Sequence, residues 1–211
     1  MAGPSGARHI RAHVGLGANV GAAAETLAGA VDALAALPGV RLRGVSRLYV
    51  TRPVGVTDQP DFHNAVVALD VTGEGTDADA ALALLARLKD LERDFGRRRR
   101  RRWGPRELDL DLLVFGDARL DVPRTPEARS VDAPAGSTTP DRLVVPHPAA
   151  GERLFVLAPL ADLAPRLVPP GWDRTVEEAR RRQVEREGPD AIRVVAEWHD
   201  GRQRWERVQP R

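Results

Sequence analysis

The spacing of apolar residues changes repeatedly over the first half of the chain, and this pattern restricts the fold more than any other feature. Apolar residues recur at every second position in some stretches, which is typical of β-strands, and at every third or fourth position in others, which is typical of amphipathic helices. The order is β-α-β-β-α-β, which predicts an α+β protein with a ferredoxin-like antiparallel sheet and helices on one face. The predicted strands cover residues 10–16, 40–51, 63–71 and 107–115, and the predicted helices cover residues 22–37 and 77–95.

The second predicted helix has a recognisable signal at each end. Thr76 and Asp79 have the spacing of a capping box, in which the two side chains bind each other's backbone amides. Gly96 follows the last apolar turn, where glycine commonly ends a helix. These signals strengthen the helix assignment independently of the apolar pattern.

The second half of the chain is less regular. Residues 122–140 are rich in Pro, Ser, Thr, Ala and Gly, which indicates a mobile loop insertion, and residues 151–163 predict a short helix. We assign residues 8–170 to one domain and residues 171–211 to a C-terminal extension on its surface, away from any active site. The extension predicts a charged helix over residues 174–187 and a β-hairpin turning at Asp200 and Gly201.

Composition excludes several classes of site and protein. The chain has no cysteine, so disulfides, thiolate metal sites and cysteine nucleophiles are excluded. No apolar run reaches the roughly 18 residues of a membrane helix, and residues 1–8 lack the apolar segment of a secretory signal. We therefore expect a cytoplasmic protein without a membrane partner. We also expect it to be a monomer. Lys89 is the only lysine, so nearly all positive charge is arginine, which suits phosphate binding.

Two aspartates follow a dense run of arginines. Asp109 and Asp111 are two positions apart on a predicted strand, so their carboxylates should point to the same side, about 6.6 Å apart along the chain. Alone, this pattern also fits two solvated side chains. Residues 97–102 are all arginine, and carboxylates that hold Mg²⁺ beside guanidinium groups suit a nucleoside triphosphate.

Other candidate ligand contacts lie in loops between predicted elements. The segment Gly15 to Gly21 (GLGANVG) joins a strand to a helix, but it matches neither the dinucleotide nor the P-loop fingerprint. It could equally be a tight turn. Phe62 and Asn64 share one face of a strand, and an aromatic plane beside an amide suits a flat heterocycle.

Four blocks together resemble the 6-hydroxymethyl-7,8-dihydropterin pyrophosphokinase family. They are GLGANVG at 15–21, SRLYVTRPVG with DQPDFHNAV at 46–66, GRRRRRRWGPRELDLDLLVFG at 96–116, and RLVVPHP with ERLFVLAPLADLAP at 142–165. The resemblance implies a ferredoxin-like fold and transfer of pyrophosphate from ATP to the pterin, a step of folate biosynthesis. The family usually has Thr where this chain has Glu107.

The resemblance also implies roles for residues at matching positions. Asp109 and Asp111 match ligands of two Mg²⁺ ions, and Arg97 and Arg106 match arginines that stabilise the transferring group. Positions that match ATP contacts are Lys89, Glu92, Arg99, Arg102, Trp103, Arg106, Arg142, His147 and Arg153. Positions that match the pterin pocket are Thr51, Arg52, Pro53, Val54, Phe62, Asn64 and Phe155, with Phe62 and Phe155 on either side of the ring.

Two other functions remain open at this stage. An arginine-rich nucleic-acid-binding module is one, but ferredoxin-like RNA binders need aromatic residues on the sheet, and only 4% of residues are aromatic. A catalytically silent relative that binds pterin or nucleotide is the other, and the presence of Asp109, Asp111 and Arg106 argues against it. We expect ATP and the pterin as partners, and no nucleic acid.

Overall fold

A central antiparallel sheet organises the molecule. The computed structural model describes residues 8–53, 55, 57–97, 104–129 and 141–208. The helices are α1 (Ala23–Ala35), α2 (Asp77–Asp94), α3 (Leu154–Leu163) and α4 (Val176–Glu187). The strands are β1 (Arg8–Ala18), β2 (Val40–Val45), β3 (Leu48–Thr51), β4 (Phe62–Gly73), β5 (Asp109–Phe115), β6 (Leu120–Pro123), β7 (Arg142–Val145), β8 (Ile192–His199) and β9 (Arg204–Arg207).

The strands of the first half reproduce the predicted ferredoxin-like sheet. The order is β5-β1-β4-β3-β8-β9, with β2 also paired to β4, and every pairing is antiparallel. A separate two-stranded ribbon joins β6 and β7. The first strand therefore lies between β4 and β5, the two strands that flank α2 in the second half of the β-α-β-β-α-β unit.

Helices cover both faces of this sheet. Helices α1 and α2 pack through Leu27, Leu34 and Leu88 on the face that carries Val14 and Leu16 of β1. Helices α3 and α4 pack on the opposite face. Their cluster consists of Val66, Leu113, Val114, Leu157, Leu160, Ala161, Val176 and Ala179. The predicted arrangement of helices on one face is thus correct for α1 and α2, while the later helices cover the other face.

Several predicted boundaries need correction. Residues 40–51 form two strands that both pair with β4, because the ladder is interrupted at Ser46, whose hydroxyl accepts from the Val66 amide at 2.9 Å. Strand β5 begins at Asp109, so Glu107 precedes it. The predicted loop at 122–140 contributes its first two residues to β6, and residues 130–140 lie outside the described residues. The capping box of α2 is confirmed, with the Asp79 amide donating to Thr76 Oγ1 at 3.2 Å.

The C-terminal extension adds a helix and a hairpin, as the sequence predicts. A capping box of Thr175 and Glu178 begins α4. Strands β8 and β9 pair antiparallel, and β8 extends the main sheet at the outer edge of β3. No helix in the described part of the chain is long and apolar enough to cross a membrane.

His13 gives this fold a predictable dependence on pH. Its side chain lies on the β1 face opposite Val14 and the residue is 5% exposed. Burial, with a smaller contribution from Arg11, lowers the pKa of His13 from 6.5 to about 4. The unfolded chain takes up this proton below pH 6.5, whereas the folded chain does so only near pH 4. The free energy of unfolding should therefore fall between these values by roughly 3 kcal/mol.

Denaturant titrations between pH 7.5 and pH 4 can isolate this contribution. His13→Gln should flatten the decline, because glutamine stays neutral throughout. His9→Gln is the matched control, since His9 lies on the same strand and is exposed. Parallel pH profiles for the wild type and His13→Gln would contradict the assignment.

Candidate active site

Two glycines leave the sheet bare at the centre of a cavity of about 520 Å³. Gly17 of β1 pairs with Asp109 on one side and with Asn64 on the other, and Gly15 pairs with Asp111. The sheet surface at these two glycines forms the floor of the cavity. A side chain at Gly17 would fill part of that floor, because its Cβ would lie 3.6 Å from Asn64 Oδ1. The lining also includes Thr51, Arg52, Phe62, Val66, Gly104, Arg106, Leu113, Glu152, Arg153, Phe155 and Glu187.

The two aspartates face the same cavity, as their strand spacing predicts. Both are half-buried at the start of β5. Arg97, which is 9% exposed, donates a charged hydrogen bond to Asp109. Burial would raise the pKa of Asp109, but the positive charges of Arg97, Lys89 and Arg106 more than offset this, so the pKa lies below its ordinary value. The carboxylate is therefore ionised at neutral pH.

A buried ion pair holds the backbone between these aspartates. Glu92 of α2 accepts from the Leu110 amide at 2.7 Å, and Lys89 donates to the Leu110 carbonyl at 2.8 Å. Lys89 and Glu92 are 2.6 Å apart, and Arg97 approaches Glu92 to 2.8 Å. Since Leu110 separates Asp109 from Asp111, this network fixes the strand that carries both carboxylates.

An aromatic ring and a side-chain amide form another part of the cavity. Phe62 and Asn64 both line it, in agreement with their shared strand face. Asn64 is 6% exposed and donates to Thr51 Oγ1 at 2.9 Å, which holds its amide in one orientation. Phe155 enters from the first turn of α3, with the Arg153 guanidinium 5.6 Å from its ring centre.

Asn19 connects the loops on two sides of the cavity. Its amide donates to Gln59 Oε1 at 3.1 Å and to the Pro60 carbonyl at 3.0 Å. Its side-chain oxygen, Oδ1, accepts from the Arg106 backbone amide at 2.7 Å. The loop before Phe62 and the loop that carries Arg106 are therefore tied to the same buried side chain.

The donor set fits Mg²⁺ held jointly with a phosphate ligand. Within the described ranges, His, Asp and Glu side chains form no cluster of three that could enclose a metal ion. Asp109 and Asp111 offer two carboxylates beside an open floor. Magnesium is commonly bound in this way, by one or two carboxylates together with substrate phosphates and water.

Comparison with known families identifies this arrangement. A family model described as 7,8-dihydro-6-hydroxymethylpterin-pyrophosphokinase (HPPK) matches residues 13–165. The chain belongs to the HPPK family. The matched range contains both aspartates, Phe62, Asn64 and Phe155, which confirms the resemblance found in the sequence.

Curated proteins and solved structures agree with the HPPK assignment. A 2-amino-4-hydroxy-6-hydroxymethyldihydropteridine pyrophosphokinase of Pseudomonas aeruginosa is 44% identical over 157 residues, which cover 74% of this chain and 82% of that protein. The protein of the same name from Methylorubrum extorquens is 43% identical over 171 residues, covering 80% of this chain and 90% of the relative.

The solved structure of wild-type Plasmodium falciparum HPPK-DHPS has the same fold. It superposes with a TM-score of 0.70 at 13% identity, and the match covers 97% of this chain. The chain spans about half of that longer protein, 51% of its length. At this identity the likeness concerns the fold alone.

Not every residue implied by the HPPK resemblance lies at the cavity surface. Lys89 and Glu92 are buried beneath β5, and Pro53 is absent from the described lining. Arg142 lies on β7, where it binds Asp121. His147 donates its backbone amide to the Leu113 carbonyl at 2.9 Å, and burial lowers its pKa although nearby Asp111 opposes the change. Val54, Arg99, Arg102 and Trp103 lie outside the described residues.

Two acidic residues of the cavity were not predicted from the sequence. Glu152 lies in the 3-10 turn before α3, and Glu187 ends α4. Glu187 lies beyond residue 165, where the HPPK match ends. The prediction that the extension packs away from the active site is therefore wrong: it contributes to the cavity wall. No local signal marks Glu187, because only the packing of α4 against α3 brings it there.

Proposed function

We propose that the protein transfers a pyrophosphoryl group from ATP to the hydroxymethyl group of 6-hydroxymethyl-7,8-dihydropterin, releasing AMP, in folate biosynthesis. One observation carries this proposal: a single cavity brings the carboxylates of Asp109 and Asp111 together with the ring of Phe62 and the amide of Asn64. The first pair suits a metal-bound polyphosphate, and the second suits a flat heterocycle.

The pterin would bind at the aromatic part of the cavity. Phe62 and Phe155 offer ring faces, and stacking between aromatic rings is favourable at separations of about 4.5–7 Å. Asn64 would form hydrogen bonds with the polar edge of the heterocycle, because Thr51 already holds the amide in place. Bound in this way, the pterin would have its hydroxymethyl arm towards Asp109 and Asp111, which line the same cavity.

The triphosphate would bind at the charged part of the cavity. Asp109 and Asp111 would hold two Mg²⁺ ions, which when bound neutralise phosphate charge and favour ionisation of the attacking hydroxyl. Arg97 and Arg106 would offset the charge on the transferring group as the pterin oxygen attacks the β-phosphorus and AMP departs. Such reactions depend mainly on positioning and charge stabilisation.

The test is an assay of AMP release from ATP. We expect release that requires both Mg²⁺ and the hydroxymethyl dihydropterin, with the pterin diphosphate formed in equal amount. A pterin that lacks the hydroxyl is the control, since it can bind but has no nucleophile. A silent relative would bind ligands without releasing AMP. A nucleic-acid-binding module would instead bind RNA with strong salt dependence and no AMP release.

The bare sheet floor gives a prediction about ligand binding. Gly17→Val should leave the protein folded, because the new Cβ would make ordinary contacts at 3.6 Å and 3.9 Å and valine favours strands. The added methyl groups would occupy ligand space, and overpacking of about 1–3 kcal/mol corresponds to a loss of affinity of roughly 5-fold to 150-fold. Calorimetric titration with the pterin and with ATP would measure it.

Gly17→Ala provides a graded comparison, with a smaller loss expected from its smaller side chain. The melting temperatures of both variants should remain close to the wild-type value. Wild-type affinity for both ligands in Gly17→Val would show that the floor of this cavity does not receive them.

A further inference from the structure

The end of α4 and the segment that follows it contact two elements that line the cavity, α3 and β3. Helix α3 carries Phe155 in its first turn, and its N-cap residue Arg153 makes no side-chain capping bond. The missing cap comes from a distant part of the chain: Glu187 Oε1 accepts from the Leu154 amide at 3.3 Å. A carboxylate at this end of a helix is also favoured by the helix dipole.

Glu187 is itself held in place. Gln183, one turn earlier on α4, is 9% exposed and donates to Glu187 Oε1 at 2.6 Å. One oxygen of Glu187 therefore receives two hydrogen bonds. The same residue lines the cavity beside Glu152 and Arg153.

The chain reaches the second of these elements only a few residues later. A 3-10 turn at Pro189–Ala191 leads from α4 into β8, whose Ile192 pairs with Thr51 of β3. Thr51 holds the Asn64 amide. Beneath this connection, Val184, Ala191, Ile192 and Val194 pack on Tyr49, Leu154 and Ala158. Segment 187–192 thus joins the start of α3 to the strand that orients Asn64.

We propose that Glu187 is a positioning residue for the pterin: it fixes the first turn of α3 and so holds Phe155 at a set distance from Asn64. Phe155 is the wall residue that depends on this contact, because α3 has no cap of its own. The proposal rests on the pterin pyrophosphokinase activity proposed above. It assigns a role in that activity to the extension, outside the range matched by the family model.

The experiment compares Glu187→Ala, Glu187→Gln and Glu185→Ala. Glu185→Ala is the matched control, since Glu185 is an exposed carboxylate on the same helix. Loss of one helix cap should raise the KM for the pterin roughly fivefold in Glu187→Ala. The KM for ATP and kcat should stay within about twofold. Glu187→Gln should recover most of the affinity, because its amide oxygen can accept the same two hydrogen bonds.

Hydrogen exchange measures the structural part of the proposal without turnover. Amides in residues 154–158 should exchange faster in Glu187→Ala than in the wild type, and those of α2 should not. An unchanged KM for the pterin in an active Glu187→Ala enzyme would overturn this inference alone. Equal losses of pterin affinity in Glu187→Ala and Glu187→Gln would also overturn it. Equal rises in the KM for the pterin and the KM for ATP would do the same. Absence of pterin binding by the wild type would overturn the proposed function as well.

Discussion

Replacing Asp109 or Asp111 with alanine should lower the rate of AMP release by roughly a thousandfold, the equivalent of about 4 kcal/mol in the transition state. Each carboxylate faces the cavity, and its loss would leave phosphate charge poorly neutralised. Both variants should remain folded, because the core of β5 is formed by Leu110, Leu112 and Phe115 on the other side of the strand. Initial rates at saturating ATP and pterin are the measurement.

The two aspartates should differ in one respect. Asp109 accepts from Arg97, whereas Asp111 has no ion pair among the described salt bridges, so Asp109→Ala should lower the melting temperature more. Asp117→Ala is the matched control, because Asp117 is an exposed carboxylate just after the same strand. Turnover near the wild-type rate in either active-site variant would contradict the assignment of the metal ligands.

Glu92→Ala should have the largest effect on stability. Glu92 is 1% exposed, and its removal would leave Lys89 and Arg97 buried without their shared carboxylate. Breaking such a pair costs roughly 3–5 kcal/mol, a large share of the usual stability of a domain. The Leu110 amide would also lose its acceptor, so turnover by the folded fraction should fall as β5 loosens.

Asp90→Ala is a suitable comparison for Glu92→Ala. Asp90 is an exposed carboxylate on the same helix, and it pairs with Arg93 at the surface. Surface pairs of this kind contribute about 0–1 kcal/mol. Guanidinium titrations of both variants would give the two free energies of unfolding. Similar small losses of unfolding free energy in the two variants would mean that Glu92 is not needed to stabilise the buried charges of Lys89 and Arg97.

Features set by neighbouring residues could be predicted from the sequence. The capping box at Thr76 and Asp79 and the hairpin at Asp200 and Gly201 depend on short-range spacing, and both are confirmed. The common orientation of Asp109 and Asp111 follows from the alternation of side chains along a strand. Their placement in the cavity agrees with that prediction, while their role as metal ligands stays a prediction.

Features that depend on contacts between distant residues could not be predicted. The break between β2 and β3 arises because Ser46 binds Val66, and no local residue signals it. Lys89 and Glu92 occupy positions that match nucleotide contacts, yet they support Leu110 from below. Glu187 reaches the cavity only because α4 packs against α3. In each case the partner lies far away in sequence, where periodicity carries no information.

The pairing of β3 with β8 has a consequence for how the chain acquires its structure. Thr51 is aligned with Ile192, so this edge of β3 stays open until residue 192 has left the ribosome. Contacts between such distant segments slow folding, because a long loop must close before any hydrogen bond forms. An open strand edge is also prone to pair with other chains. The nascent chain should therefore be most prone to pair with other chains while residues 52–191 are being synthesised.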